Sequence, residues 1–212
     1  MIDAVIFDMD GTLLNTLDDL TDSVNYTLSQ FGFPTHTKDD VRNFVGNGVN
    51  LLFERALPQN TDLKIKNQCI NFFKKTYSKN MCINTVPYNG ILNVLKTIRR
   101  NYISTAVLSN KFDDAVKNLS NRYFGDLIDI SMGQSETVPQ KPSSSGVYKI
   151  MRELRAKKAV FVGDSDVDIK TAKNAGIKSI GVTWGFRDRD NLKDADFIVD
   201  TPNELLQIIR SL

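Results

Sequence analysis

Ala4-Val5-Ile6-Phe7-Asp8-Met9-Asp10-Gly11-Thr12 is a four-residue apolar run that stops at acidic and turn-forming residues. A run this short reads as a strand buried on both faces, with the polar residues in the loop at its carboxyl end. The same shape recurs at residues 104–108 before Ser109-Asn110, at 127–130 before Ser131, and at 159–162 before Gly163-Asp164-Ser165. It returns at 179–183 before Trp184-Gly185 and at 196–199. Helix-length amphipathic segments separate these runs, at 91–99, 113–124, 146–154 and 167–175. Strands alternating with helices define an α/β fold, a Rossmann-like doubly wound parallel sheet with helices on both faces.

One stretch breaks the alternation. Residues 15–83 show helical periodicity only, with Leu17, Leu20, Val24 and Leu28, then Leu51, Leu52 and Ala56, punctuated by Pro34 and Pro58. This predicts a helical cap subdomain over 15–83, inserted into a core made of 1–14 and 84–212, with Val86-Pro87-Tyr88 marking the return.

The chain has 212 residues, 41% of them hydrophobic and 25% charged, which fits one full core plus a smaller subdomain and excludes disorder or a coiled coil. Its 27 Lys+Arg and 25 Asp+Glu are dispersed, so neither nucleic acid nor a membrane surface is the expected partner. No apolar stretch approaches the roughly 18 residues that span a bilayer, and Met-Ile-Asp is no basic signal-peptide start, so the expected location is cytoplasmic. Cys69 and Cys82 lack metal-ligand or framework spacing and read as reduced thiols, while the single histidine, His36, reads as a surface residue in a polar turn. Any general acid or base is therefore a carboxylate or a lysine.

Open parallel sheets bind ligands beyond the carboxyl ends of their strands, so the polar residues there are considered together. Asp8 and Asp10 are two apart and lean the same way if strand geometry persists, with Met9 opposite. Asp164 and Asp168 are four apart at a helix start, on one face. Carboxylates converging without cations repel, and with no His or Cys at hand the all-oxygen set points to Mg2+. Ser109 and Asn110 offer donors and Lys141 a point charge, which suits a phosphoryl group in transit. Each feature alone has an ordinary explanation: a turn at Asp-Gly, an N-cap at Asp164, a solvated acid at Asp168, an exposed Lys141.

Together, Asp8-Met9-Asp10-Gly11-Thr12-Leu13, Ser109-Asn110, Lys141-Pro142 and Gly163-Asp164-Ser165-Asp166-Val167-Asp168 resemble the four motifs of the haloacid dehalogenase-like hydrolases, in order and across essentially the whole chain. Val45-Gly46-Asn47-Gly48 with Glu54-Arg55-Ala56-Leu57 resembles the helical cap of the phosphoglycolate phosphatases within that superfamily. The resemblance implies a Mg2+-dependent phosphatase of a small phosphorylated metabolite, monomeric or homodimeric. Asp8 would be the nucleophile forming an aspartyl-phosphate, and Asp10 the acid and then the base, a role calling for surroundings that favour its protonated form. Ser109, Asn110 and Lys141 would hold the phosphoryl oxygens. The metal would be held by Asp8, the Asp10 carbonyl and Asp164, with Asp168 and Thr12 in support.

The chain departs from the family pattern at the cap hinge, where Asn15 and Thr16 replace the usual Asp and Ser. Specificity candidates are Arg42, Gly46, Asn47 and Gly48 in the cap and Arg187 in the Trp184-Gly185-Phe186-Arg187 loop. Arg42 reads more readily as a helix-surface arginine than as a partner for a substrate carboxylate, and the loop is equally readable as an aromatic plug with a surface arginine. Other readings of the chain are a pyrophosphatase, a sugar-phosphate mutase, or a receiver-like domain that stores a phospho-aspartate. The mutases carry a Glu-Asp pair where this chain has Gly163-Asp164-Ser165, and a receiver needs no inserted cap.

Overall fold

The computed structural model describes residues 2–212; Met1, the first residue of the expected core segment, lies outside them. Six parallel strands form the sheet in the order β5-β4-β1-β6-β7-β8: β1 (Ala4–Phe7), β4 (Ser104–Phe112), β5 (Ile130–Gln134), β6 (Ala159–Gly163), β7 (Lys178–Val182) and β8 (Phe197–Val199). From β1 the chain winds outward to β4 and β5, then returns to β6 on the other side of β1. The switch point of the winding therefore lies at the carboxyl ends of β1, β4 and β6.

Both faces of the sheet are covered, which is why these strands read as continuous apolar runs. Val5, Phe7, Val107, Val160 and Val162 share a core with α5 (Ile91–Arg100), α6 (Asp113–Phe124) and α9 (Pro202–Ser211). The alternate residues Ala4, Ile6, Ala106, Leu108 and Phe161 face α7 (Ser145–Glu153) and α8 (Asp166–Ala175).

Four helices are inserted between β2 (Leu14–Asn15) and β3 (Val86–Pro87): α1 (Leu17–Gln30), α2 (Lys38–Phe44), α3 (Gly48–Ala56) and α4 (Leu63–Asn80). The expected apolar stripe of α1, Leu17, Leu20, Val24 and Leu28, is buried. On α3 the buried residues are Leu52, Phe53 and Ala56, while Leu51 faces outward. β2 and β3 pair antiparallel, so the two connections to the insertion form a ribbon. Asp19 in the first turn of α1 fastens it, accepting from the backbone N–H groups of Ile83, Asn84 and Thr85 at 2.8–3.1 Å and from the Thr85 hydroxyl at 2.7 Å.

Three expectations are corrected. The run at 127–130 is not the strand: Gly125–Leu127 forms a 3-10 turn, and Asp129 accepts from Thr105 N–H at 2.8 Å, so pairing starts at Ile130. β4 does not end at Leu108 but runs on through Ser109 and Asn110, with its register shifting between Leu108 and Phe112. His36 is half-buried, its Nε2 2.8 Å from the Ala56 carbonyl oxygen and its ring edge-on to Phe44.

Candidate active site

Asp8 directly follows β1, the central strand, and its N–H continues the ladder by donating to the Val162 carbonyl at 2.9 Å. Gly11 then turns the chain at φ +82°, and a Cβ there would lie 2.3 Å from Asp164 Oδ2, so only glycine fits. On β6 the apolar run delivers Asp164, whose Oδ2 accepts from Phe186 N–H at 2.7 Å. The Thr12 hydroxyl lies 3.4 Å from Asp164 Oδ1. Asp168, in the first turn of α8, accepts through Oδ2 from the Ser165 N–H and hydroxyl and through Oδ1 from Lys141 Nζ at 2.6 Å.

Asp8, Asp164 and Asp168 are all buried, with carboxylate oxygens within 4.8 Å of one another. Among the described residues Lys141 is the one ammonium paired with this cluster, 2.9 Å from Asp8 Oδ1 and 2.6 Å from Asp168 Oδ1. The Asp8 contact is an ion pair off the hydrogen-bond line, and among the described residues no donor satisfies Asp8 Oδ1. Burial, and after it the neighbouring carboxylates, push Asp8 up to about 7 against the pull of Lys141, and push Asp164 up to about 8. For Lys141 burial works the other way, but Asp168 and Asp8 outweigh it and hold the ammonium above its ordinary range. A buried orphan carboxylate oxygen beside two further carboxylates, with one lysine among them, is a donor set suited to a hard divalent cation.

The remaining sequence-singled residues divide. Asp8, Asp10, Ser109, Asn110, Gly46, Gly48, Asp164 and Arg187 line one cavity between the sheet and the insertion. Asn110 spends its amide on other work than the sequence implied: Oδ1 accepts from Lys141 N–H at 2.7 Å, and Nδ2 donates to the carbonyls of Lys141 and Gly46. Arg42 is not brought into the cavity, because its guanidinium pairs with Asp39 at 3.3 Å on an exposed helix face. Asn47 turns its side chain to Arg55 at 3.1 Å. Arg187 reaches across from the core and donates to the Arg42 and Val45 carbonyls. Trp184 is the plug of that loop, its indole N–H donating to the Thr12 carbonyl at 3.1 Å.

Asp10 Oδ1 accepts from the Thr16 hydroxyl at 2.6 Å and lies 3.1 Å from Lys111 Nζ. Sequence reasoning missed Lys111 because β4 was expected to end at Leu108. In an extended strand Lys111 is two residues beyond Ser109, hence on its face. Burial opposes the Lys111 charge, but Asp10 and Tyr77 outweigh it and raise its pKa above the ordinary lysine range.

The model of the haloacid dehalogenase-like hydrolases matches residues 5–182. The chain belongs to this family. It is 31% identical over 213 residues to the phosphoglycolate phosphatase of Aquifex aeolicus, covering 97% of this chain and 95% of that one. The phosphoglycolate phosphatase of Colwellia psychrerythraea is 29% identical, with 96% and 95% covered. A crystal structure from Lactobacillus delbrueckii subsp. bulgaricus, provisionally assigned as a phosphoglycolate phosphatase, superposes with a TM-score of 0.92 at 32% identity, covering 99% of each chain. Among the described residues no helix is long and apolar enough to cross a membrane.

Proposed function

We propose that this chain is a Mg2+-dependent phosphatase that hydrolyses a small phosphate monoester, phosphoglycolate or a close relative, through an aspartyl-phosphate on Asp8. The observation that carries the reading is the unsatisfied Asp8 Oδ1 at the end of the central strand, beside Lys141 and within a buried carboxylate cluster. A buried carboxylate oxygen with no aligned hydrogen-bond donor calls for an explanation, and a bound cation or phosphoryl group beside Lys141 supplies one.

Asp8 attacks phosphorus as the ester P–O bond breaks, and Asp10 gives its proton to the departing alkoxide. Water then attacks the acyl phosphate, passing its proton to Asp10 and releasing inorganic phosphate and free Asp8. Lys141 and the Ser109 hydroxyl face the phosphoryl oxygens, while Asn110 and Asp168 hold Lys141 in place. Asp8 and Asp164, with the Asp10 carbonyl, would hold Mg2+, which supplies charge neutralisation at the phosphoryl group.

In this reading 1–14 and 84–212 are the catalytic core, and 15–83 is a cap hinged at the β2–β3 ribbon that shuts water out of the reaction. A screen of small phosphorylated metabolites with and without Mg2+ tests it. Hydrolysis should need added Mg2+ and be suppressed by excess Ca2+, whose larger, looser shell spoils in-line geometry. Full turnover in chelator by protein free of metal overturns the reading.

A further inference from the structure

Lys111 lines the same cavity, and phosphoryl transfer as written above gives it no task. Its ammonium is 5% exposed, 3.1 Å from Asp10 Oδ1, donates to the Tyr77 hydroxyl at 2.9 Å and sits 4.4 Å from the centre of the Tyr77 ring. It thus touches both Asp10 at the core and α4 of the insertion.

The wall that the insertion turns to the cavity is otherwise largely carbon, from Leu20, Val49, Leu52 and Phe73. A negatively charged group placed against such a wall loses its hydration and needs a cation to replace it. The other cations are committed. Lys141 is shared between Asp8 and Asp168, Arg187 holds the Arg42 and Val45 carbonyls, and Arg42 is outside. Of the cations that line the cavity among the described residues, Lys111 is the one set against the apolar wall, and its partner Asp10 is itself a carboxylate, the kind of group it would take from a substrate.

We infer that Lys111, with the Tyr77 hydroxyl beside it, is the specificity determinant for an anionic group on the leaving side of the substrate. Asp10 is the carboxylate paired with that cation here. This rests on the phosphatase reading and adds a distance to it. Asp10 must come within hydrogen-bond reach of the ester oxygen, roughly 3 Å, and Lys111 is 3.1 Å from the same carboxylate. An anion held by Lys111 therefore lies on the same side of the cavity as the ester oxygen, close to Asp10, which selects small anionic phosphate esters over neutral ones.

The test is a matched pair of substrates, phosphoglycolate and 2-hydroxyethyl phosphate, assayed with Mg2+ on wild type, Lys111→Met and Tyr77→Phe. Wild type should favour the carboxylate by roughly 10- to 100-fold in kcat/KM, the size of one hydrogen-bonded charge contact. In Lys111→Met that ratio should fall to about threefold or less, chiefly through KM for phosphoglycolate, which should rise by a larger factor than the inhibition constant for inorganic phosphate. A loss through Asp10 alone lowers both substrates together and leaves the ratio standing, which overturns the inference, as does a wild type without preference. If Lys111→Met does not fold, Tyr77→Phe decides: the inference expects its ratio to drop about threefold or more, and an unchanged ratio refutes it. A wild type inert toward both substrates and toward p-nitrophenyl phosphate overturns the phosphatase reading itself, and the inference with it.

Discussion

At the scale of single residues the proposed function rests on Asp8 and Asp164, and their burial makes two separate predictions. Asp8→Asn keeps shape and volume but removes the nucleophile, so turnover with Mg2+ should drop at least about a thousandfold while the unfolding transition stays cooperative. Retention of a tenth of wild-type turnover would remove Asp8 from that role. The second prediction concerns protein stripped of metal. Burial and the neighbouring acids raise Asp8 to about 7 and Asp164 to about 8, well above the roughly 3.9 of an unfolded Asp. The folded chain then binds more protons than the unfolded one, so their contribution to stability is complete below about pH 4 and is lost as pH climbs through about 7 to 8. In chelator, Asp164→Asn should match wild type near pH 5 and exceed it at pH 8 by about 1–3 kcal/mol, or a few degrees in Tm. An equal gap at both pH values would contradict the linkage.

Among the elements, the β2–β3 ribbon matters more than its two-residue strands imply. Asp19 satisfies three backbone N–H groups at 83–85, and Tyr123 donates to the Thr85 carbonyl at 2.7 Å, so the return connection is held from both the insertion and the core. Asp19→Ala strands the buried Thr85 donors and leaves those of Ile83 and Asn84 to water, and should cost about 1–3 kcal/mol in urea unfolding, with faster proteolysis near residue 84. A cost under about 0.5 kcal/mol would show that water replaces the carboxylate freely. Thr16, on the same ribbon, donates to Asp10 at 2.6 Å, so a hinge residue departing from the family's usual serine still supplies a hydroxyl to the site.

For the whole molecule, the question is what the insertion does for the core. The carbonyls of Arg42, Val45 and Gly46 accept from Arg187 and Asn110, and the Asn47 carbonyl lies 3.4 Å from Gln140 Nε2. The insertion is thus held through its own backbone atoms by side chains of the core. Replacing residues 45–50 by a flexible linker should reduce kcat/KM for small carboxylated phosphates at least tenfold more than for p-nitrophenyl phosphate, whose good leaving group depends less on closure. An unchanged ranking of substrates would make the insertion a structural appendage and move substrate choice to the core loops.

The alternation of apolar runs with helical segments determined the parallel sheet, and the acids that follow β1 and β6 pointed to where the proposed chemistry sits. Both are local properties: burial on two faces requires unbroken apolar runs, and a strand's polar terminus emerges where its run stops. Strand ends were less legible, because Asp129 and the continuation of β4 depend on partners elsewhere in the sheet. The pairing of Lys111 with Tyr77, the hold of Asp19 on residues 83–85 and the reach of Arg187 to Val45 join positions 34, 64 to 66 and 142 residues apart. No periodicity encodes such meetings, since each side chain's partner is fixed only when the helical insertion lies over the carboxyl ends of the strands. The same docking left Arg42 outside and turned Asn110 toward Lys141, so residue type pointed to the reagents of the proposed reaction while tertiary packing decided which of them line the cavity.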